Sequence, residues 1–426
     1  MNKIRNWITN IILLTVAVII SLMLAEGVVR LIDMGCFSSN QPFSQNLGIW
    51  KTDPIIGHDF VENHPKTNFI FKDYEFSIWT NEIGCFDKPY SGEKDFILSA
   101  GDSFTWGYSP FEYTYGSLLE SRLGERVLKC GMPGFGSREE FLKIQKVIQK
   151  AGNIPKLIIV GYFMNDIDSD YTFPQITVIN GYRIAKIFIS DQFTGKKEVR
   201  TDDELRERLK NFLKYGSTVA PSTLKEQLKS WLSQHSAFYD LIEANTTIRE
   251  IARNIGLVKD QTPQRFYDNS QSLFLKDAEK FPWINEAWEL HLNNFREIKH
   301  IADNAGSKLL VVNIPPKEIV YKFVNPAFDN AAYERADKKI AIFFKKEGIA
   351  FLDLETGFIK YSNQKPRKEL NSEKDLYWRC DPHMNIKGNR LAGLLISKFV
   401  LENRLVDVKD ITERLALVTE ELEGFK

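Results

Sequence analysis

Residues 96–104 have the sequence FILSAGDSF, a short apolar run that ends in a glycine, an acid and a serine. Four more apolar runs of similar length follow, at Arg126 to Cys130, Leu157 to Phe163, Leu309 to Ile314 and Ile349 to Leu354. Short, continuously apolar runs are typical of strands that are buried on both faces. Segments with helical periodicity separate them. This alternation predicts an α/β domain with a doubly wound five-stranded parallel sheet, a three-layer sandwich with helices on both faces.

Helix signals lie between these strands. Ser137 and Glu140 have the spacing of a capping box, and four apolar residues on one helical face follow them: Phe141, Ile144, Val147 and Ile148. Gly348 stands where a left-handed cap would end another helix before the fifth strand. A last helix of the domain carries Leu391, Leu394, Leu395 and Phe399.

The 426-residue chain is predicted to contain four segments. Residues 1–30 form a transmembrane anchor, residues 31–95 a lead-in of loops and short strands, residues 96–405 the α/β domain, and residues 406–426 a C-terminal helix. The interval 167–282 is far longer than one crossover connection needs, and we interpret it as an insertion in the domain.

The charge balance argues against nucleic acid as a partner. Lys plus Arg and Asp plus Glu each number 56, and no basic block supplies a phosphate-binding stripe. Four scattered cysteines, without a CxxC pair, do not indicate a disulfide scaffold or a structural zinc site. The glycines after the second strand have GxxGxG spacing, which is not the dinucleotide fingerprint, and no Walker A motif is present. No cofactor is therefore predicted.

The N-terminus predicts export. Ile8 to Ala25 is an 18-residue, mostly apolar stretch, just long enough to cross a bilayer, and Lys3 and Arg5 precede it. By the positive-inside rule, the remainder of the chain lies outside the cytoplasm, in the periplasm or at the cell surface. A cleaved signal peptide is the alternative, although no clear small-x-small cleavage site precedes Glu26. Either reading allows disulfides to form.

Candidate functional residues follow the first three strands, whose carboxyl ends meet at one edge of a parallel sheet. Gly101 allows a tight turn that exposes the Ser103 hydroxyl at a helix N-terminus, which favours a developing oxyanion. A turn capped by Asp102 would explain the same residues. Glycines after the second strand allow a backbone N–H to approach a ligand, and the side chain of Asn165 after the third strand is a further donor.

Only one of the six histidines lies in a strand-to-helix loop beside an acid. Asp381 is two residues before His383, close enough to orient the imidazole and to stabilise its protonated form. Ser103, His383 and Asp381 would then form a catalytic triad. A helix cap with a solvated histidine is the alternative, and no metal site is predicted because no third ligand has a recognisable spacing. The GxSxG motif of α/β-hydrolases is absent.

In this order, these residues resemble the SGNH hydrolases, also called GDSL-like esterases and lipases, over about residues 96–405. The resemblance implies a flavodoxin-like sandwich with Ser103 as nucleophile and His383 as the base that Asp381 orients. It also implies oxyanion donors from the Ser103 N–H, the Gly134 N–H and the Asn165 side chain. Three residues complete the motifs around these positions: Gly101, Asp102 and Asp166.

The sequence departs from the family pattern at three points. Phe163 stands where the third block has glycine, one residue rather than two separates Asp381 from His383, and Met384 replaces the usual proline. The short Asp-x-His spacing, followed by Asn385, is similar to exported SGNH proteins that modify polysaccharides, including alginate O-acetylation proteins.

The resemblance therefore implies an esterase that removes O-acyl groups, O-acetyl foremost, from an extracytoplasmic glycan through an acyl-serine. If a sugar hydroxyl attacks instead of water, the same triad makes a polysaccharide O-acetyltransferase, and a membrane-bound acyl donor would be a partner. A hypothesis of another class is a non-catalytic glycan-binding subunit of an envelope complex.

Overall fold

The computed structural model describes residues 2–31, 47–71, 74–191, 194–215, 218–239, 281–322, 330–362, 371–379 and 381–425. The strands are β1 (Trp50–Asp53), β2 (Gly57–Phe60), β3 (Thr67–Phe71), β4 (Tyr74–Ile78), β5 (Ile97–Gly101), β6 (Val127–Lys129), β7 (Leu157–Tyr162), β8 (Ile176–Ile179), β9 (Tyr182–Ala185), β10 (Ile187–Asp191), β11 (Lys196–Val199), β12 (Lys308–Asn313) and β13 (Ala350–Asp353). The helices are α1 (Asn2–Leu31), α2 (Ser103–Trp106), α3 (Tyr115–Leu123), α4 (Ser137–Ala151), α5 (Asp166–Tyr171), α6 (Asp202–Tyr215), α7 (Leu224–His235), α8 (Pro282–Ala305), α9 (Lys317–Tyr321), α10 (Asn330–Lys346), α11 (Glu355–Tyr361), α12 (Ile386–Glu402) and α13 (Ile411–Glu423).

The central sheet has five strands in the order β13-β12-β7-β5-β6, and every neighbouring pair is parallel. All residues of β5 and β7 are buried, as expected for strands covered on both faces. Gly101 pairs with Gly161 at the carboxyl end of these two strands. The predicted five-stranded parallel sheet is confirmed, and each predicted strand agrees with an observed one to within one residue at each end.

Helices cover both faces of the sheet. On one side α4, α5 and α8 pack together, with α4 against β5 and α8 against β12. On the other side α3, α12 and α13 pack together, with α3 against β6. The C-terminal helix α13 buries Val418 and Leu422 in the main core, so its apolar stripe is explained by packing. The fold is a doubly wound α/β sandwich.

The start of α4 differs from the prediction. The helix N-cap is Gly136, and its N–H donates to the Glu139 carboxylate at 3.1 Å, so the predicted capping box of Ser137 and Glu140 is wrong. The Ser137 hydroxyl instead donates to the buried carboxylate of Asp170 at 2.5 Å. The Ser137 side chain is thus engaged across the fold, and the cap of α4 lies one residue earlier, at Gly136.

Residues of the lead-in form a second apolar core. Hairpins β1–β2 and β3–β4 are antiparallel. Their side chains pack with aromatic residues that follow β5, β6 and β13 in the chain, namely Trp106, Tyr108, Phe135 and Trp378. A disulfide between Cys85 and Cys130 ties the lead-in to the residue that follows β6. Cys36 and Cys380 lie outside the described residues. The lead-in is therefore anchored at the carboxyl edge of the sheet.

Two antiparallel hairpins, β8–β9 and β10–β11, begin the interval that the sequence predicts as an insertion. Strand β8 contacts β1 and β2, and the Thr52 hydroxyl donates to the Val178 carbonyl at 2.9 Å. The first hairpin thus packs on the lead-in, beside the end of β6.

The chain divides into two compact units, one of Met1–Ser44 with Arg206–Thr262 and one of Gln45–Leu205 with Pro263–Lys426. In the first unit, the Glu26 carboxylate accepts hydrogen bonds from the N–H groups of Ala237 and Phe238 at 2.9 and 3.0 Å. The helical segment Trp7–Leu31 is long and apolar enough to span a membrane, and a signal sequence would have the same character.

Candidate active site

The Ser103 hydroxyl, His383 and Asp381 form a continuous chain of hydrogen bonds. Nε2 of His383 lies 2.8 Å from Oγ of Ser103, and Nδ1 of the same ring is bonded to Oδ1 of Asp381. Oδ1 also accepts the His383 N–H at 2.9 Å, so the turn itself holds the carboxylate against the ring. Asp381 is buried, whereas the His383 side chain keeps 13% of its surface exposed. The three residues predicted as a triad are thus in direct contact.

Ser103 lies in a tight turn between β5 and α2. Gly101 has φ +149°, and a Cβ atom there would lie 2.0 Å from Oγ1 of Thr105 and 2.9 Å from the Gly161 carbonyl, so only glycine fits. Asp102 caps α2 by accepting the Phe104 N–H at 2.8 Å. Its other oxygen is 3.3 Å from the Ser103 hydroxyl, a longer contact than the one to His383. The hydroxyl is therefore directed at the imidazole.

Ser103, Gly134 and Asn165 are each partly exposed, whereas both neighbours of each residue are buried. Within the described part of the chain, neither the Ser103 N–H nor the Gly134 N–H donates a hydrogen bond to the protein. Asn165 does not cap α5 with its side chain, and its Oδ1 is buried without a protein partner. Three positions that carry candidate oxyanion donors are thus accessible at the edge where β5, β6 and β7 end.

The loop that carries His383 is fixed on both sides of the ring. Trp378 donates its backbone N–H to the His383 carbonyl at 3.1 Å, and Asn385 caps α12 by accepting the Gly388 N–H at 2.9 Å. Tyr108 stacks on the imidazole with ring centroids 4.0 Å apart and an interplanar angle of 16°. The ring of Phe104 lies 4.8 Å away on another side. These contacts hold the imidazole in the plane that reaches Ser103.

The departures from the SGNH pattern have local explanations. Phe163 keeps a negative φ, so the backbone there does not require glycine, and its ring packs 4.1 Å from that of Phe104. Asp166 holds the turn by accepting the Phe163 N–H at 3.3 Å. Met384 is buried and forms an isolated antiparallel bridge with Tyr377.

Three carboxyl groups are buried close to one another at the ends of β5, α4 and β7. Burial raises the pKa of Asp102 to about 6. Burial, together with repulsion from Asp102 and Asp170, raises the pKa values of Glu140 and Asp166 well above their usual range. Neither carboxyl oxygen of Glu140 has a hydrogen-bond partner among the described residues. The raised pKa values favour the neutral, protonated forms of Glu140 and Asp166, which carry no negative charge that would oppose an oxyanion at Ser103.

Three residues next to the site are not predicted from the sequence. Tyr108 stacks on His383, and its hydroxyl is hydrogen-bonded to Arg183. Arg183 from β9 and His58 from β2 both contact the carbonyl oxygen of Pro133, the residue before Gly134. Arg183 belongs to the insertion and His58 to the lead-in, and the packing of β8 on β1 and β2 brings these two residues together. The presence of His58 among only six histidines was the one available hint.

One other group of acids has the composition of a cation site. Asp337, Asp353 and Glu355 bring carboxylate oxygens within 4.8 Å of one another. The Asn313 amide donates to Asp337 at 2.7 Å and to Asp353 at 3.2 Å. Burial and mutual repulsion raise the pKa values of Asp337 and Glu355 to about 7. The group lies at β12 and β13, and β7 separates these strands from β5.

Comparison with known proteins gives similarities to solved structures only. No protein-family model matches the sequence, and no curated protein matches it. The acetyl xylan esterase AlAXEase is 12% identical, with a TM-score of 0.34 over 71% of this chain and 98% of that chain. A GDSL-like lipase from Bacteroides thetaiotaomicron VPI-5482 is 10% identical, with a TM-score of 0.30 over 74% of this chain and 92% of that one. LAE5, an alpha/beta hydrolase enzyme from the metagenome of Lake Arreo, Spain, is 11% identical, with a TM-score of 0.32 over 74% and 96%.

These similarities are weak. The fold of this chain follows from its own strand order, and the chemistry of its site follows from the contacts of Ser103. A serine bonded to a carboxylate-oriented imidazole, with free N–H groups beside it, can accept an acyl group from an ester.

Proposed function

We propose that this chain is a serine esterase of the SGNH type that removes O-acyl groups, O-acetyl foremost, from a glycan outside the cytoplasm. The observation that carries the proposal is the hydrogen-bonded chain from Ser103 through His383 to Asp381. A glycan-binding subunit without chemistry has no need for a hydroxyl aligned on an oriented imidazole. The binding-module hypothesis is therefore the weaker one.

The reaction begins when Oγ of Ser103 attacks the ester carbonyl carbon and Nε2 of His383 takes the hydroxyl proton. Asp381 stabilises the imidazolium that forms. The carbonyl oxygen becomes an oxyanion and accepts hydrogen bonds from the N–H groups of Ser103 and Gly134 and from the Asn165 side chain. Collapse of this intermediate breaks the bond to the sugar oxygen, which receives the proton from His383, and leaves an acyl-serine.

His383 then removes a proton from water as the water attacks the acyl carbon, and release of the acid restores Ser103. If a sugar hydroxyl replaces water in this step, the same residues perform O-acetyl transfer. The two outcomes differ only in how the acceptor is bound and water is excluded.

Two features support a substrate outside the cytoplasm. A candidate membrane span lies near the N-terminus, and a disulfide joins Cys85 to Cys130. Disulfides persist in oxidising compartments outside the cytoplasm. With α1 as an anchor, the proposed site lies on the outer side of a membrane, the side on which envelope glycans are found.

The test uses the full chain in detergent, mixed with an activated acetyl ester and followed by intact-mass spectrometry. Wild type is expected to gain one acetyl group, and Ser103→Ala is expected to gain none. Loss of the adduct in water, against loss in the presence of added oligosaccharides, separates hydrolysis from transfer. An adduct on Ser103→Ala equal to that on wild type would exclude Ser103 as the nucleophile. If acetyl and longer activated esters both leave wild type unmodified, the esterase proposal is wrong.

A further inference from the structure

The carbonyl group of Pro133 is contacted by two side chains from distant parts of the sequence. Nη1 of Arg183, on β9, donates a hydrogen bond to its oxygen, and Nε2 of His58, on β2, lies 3.1 Å from the same oxygen. Pro133 and Gly134 share one peptide group, and this group carries the N–H that faces no other acceptor in the described structure.

The hydrogen bond to the Pro133 carbonyl determines which ring nitrogen of His58 carries the proton. A carbonyl oxygen only accepts hydrogen bonds, so Nε2 of His58 must carry the hydrogen. Burial, with the nearby Arg183 cation, lowers the pKa of His58 to about 3, and the ring stays neutral at any pH at which the enzyme works. Its Nδ1 is buried without a protein partner, as befits the unprotonated nitrogen of that tautomer. His58 is thus a permanent donor to Pro133.

Arg183 is held in a fixed position by its surroundings. Its guanidinium lies 4.2 Å from the centroid of the Trp50 ring and is hydrogen-bonded to Tyr108, the residue that stacks on His383. A Cβ atom on Gly134 would lie 3.3 Å from Nη1 of Arg183 and 2.8 Å from Cδ1 of Ile176. The hairpin β8–β9 therefore presses directly on the Pro133–Gly134 loop, and Gly134, at φ +86°, has no room for a side chain.

Donors on a peptide oxygen draw electron density from the peptide nitrogen, so the N–H of the same group becomes a stronger donor. A cationic donor has the larger effect. We propose that Arg183 and His58 are positioning residues of the oxyanion hole: they orient and polarise the Pro133–Gly134 peptide so that the Gly134 N–H binds the oxyanion at Ser103. This inference rests on the proposed function and assigns a catalytic purpose to the lead-in and the insertion.

Two variants test the inference, Arg183→Met and His58→Leu, each in the full chain. Both are expected to lower kcat for an acetyl ester about 10- to 100-fold with little change in KM, because the oxyanion forms only after substrate has bound. This loss is smaller than the about 10²- to 10³-fold loss that follows removal of an oxyanion donor itself. Arg183→Lys retains a cationic donor and is expected to recover part of the rate.

Arg200→Met is the matched control. Arg200 also donates to a backbone carbonyl, that of Ala185 at 2.8 Å, and its guanidinium lies 3.7 Å from the Phe188 ring, and neither of these two contacts involves the Pro133–Gly134 loop. Its removal is expected to leave kcat and KM unchanged. Thermal melting of all variants distinguishes a loss of folded protein from a weaker polarisation of the Pro133–Gly134 peptide group.

The decisive measurement is the infrared band of an acetyl-serine labelled with ¹³C at its carbonyl, recorded by rapid difference spectroscopy after mixing with the activated ester and before water removes the acetyl group. Hydrogen bonds from the oxyanion hole lower the frequency of this band. Arg183→Met and His58→Leu are expected to raise it towards the value of a free ester, and Arg200→Met is expected to leave it in place. An unshifted band in both site variants would overturn the inference while the esterase proposal stands. Absence of an acetyl-enzyme in wild type would overturn both.

Discussion

Oγ of Ser103 lies 2.8 Å from Nε2 of His383, although 280 positions separate the two residues in the chain. The contact exists because α12 begins just after His383, so that His383 precedes that helix at the edge where β5 ends. An imidazole so placed takes up the hydroxyl proton without first changing its rotamer.

The first prediction concerns this pair and its neighbour Asp102. Ser103→Ala and His383→Ala are expected to lower kcat/KM by about 10⁴-fold or more with the melting temperature nearly unchanged. Asp102→Ala removes the cap of α2 and is expected mainly to lower stability, by about 0.5–2 kcal/mol. Ester hydrolysis and thermal melting of the three variants are the measurements. Equal, mild losses of activity in all three would contradict the assignment of roles.

A second prediction distinguishes two glycines with positive φ. Gly101→Ala forces a Cβ atom to within 2.0 Å of Oγ1 of Thr105, whereas Gly92, at φ +76°, has open space around it. Gly92→Ala is expected to cost only the conformational penalty of about 1–2 kcal/mol. Gly101→Ala is expected to cost considerably more and to abolish activity. Melting temperatures that fall equally in the two variants would show that the serine turn is not sterically closed.

Much of the sheet could be predicted because its central strands are buried on both faces, which makes them continuous apolar runs that differ from the spaced apolar residues of an amphipathic helix. Ser103 and His383 were also within reach, since each follows or precedes an element whose end the sequence marks. The start of α4 was not, because Ser137 bonds to Asp170 across the fold instead of to its own helix. Local spacing cannot reveal such a tertiary competitor.

The contacts of Arg183 and His58 cannot be predicted from local sequence for a related physical reason. Their role depends on two hairpins packing on each other. The face on which a hairpin side chain lies depends on the strand register, and a shift of one residue moves every side chain to the opposite face. The sequence predicts that short strands exist in both segments. It does not predict that one side chain from each segment contacts the Pro133 carbonyl.

A third prediction concerns the ion pairs that fix α4 to the lead-in. Asp59 and Lys143 are both buried, with Nζ 2.6 Å from the carboxylate, whereas Glu62 pairs with Lys150 near the surface. Asp59→Asn leaves the Lys143 ammonium buried with its main counter-charge removed and is expected to cost about 3–5 kcal/mol. Glu62→Gln is expected to cost at most about 1 kcal/mol. Chemical unfolding of both variants provides the comparison, and a similar cost for the two would disprove it.

A fourth prediction concerns pH. Burial, with the neighbouring Asp353 and Glu355, raises the pKa of Asp337 to about 7. Between about pH 4, where an unfolded aspartate ionises, and pH 7, the folded chain keeps a proton that the unfolded chain releases, so this group makes stability fall as pH rises.

Asp337→Asn removes that dependence. The variant is expected to gain stability over wild type progressively from about pH 4 to 7, with a constant difference above that range. Unfolding curves at several pH values are the measurement. Asp303→Asn, at an exposed carboxylate paired with Lys299 on α8, is the control and is expected to show no growing gain. A pH-independent difference for Asp337→Asn would refute the raised pKa.

A fifth prediction concerns the disulfide. Replacing Cys85 and Cys130 together by alanine is expected to lower the free energy of unfolding by about 2–4 kcal/mol, because the bond closes a loop between residues 45 positions apart. Reductant is expected to lower the melting temperature of wild type more than that of the double variant. An equal fall in melting temperature in both proteins would show that the reductant does not act through this disulfide.

The disulfide also links the oxidation state of the chain to the structure of the candidate site. Cys130 directly precedes the loop that carries Pro133 and Gly134, so its bond to Cys85 fixes one end of the segment on which the oxyanion would be bound. Thiols stay reduced in the cytosol. Under the proposed export, a newly made chain that is still reduced holds this segment less firmly, and we expect little ester hydrolysis from it. Formation of the disulfide is then the step that completes the site.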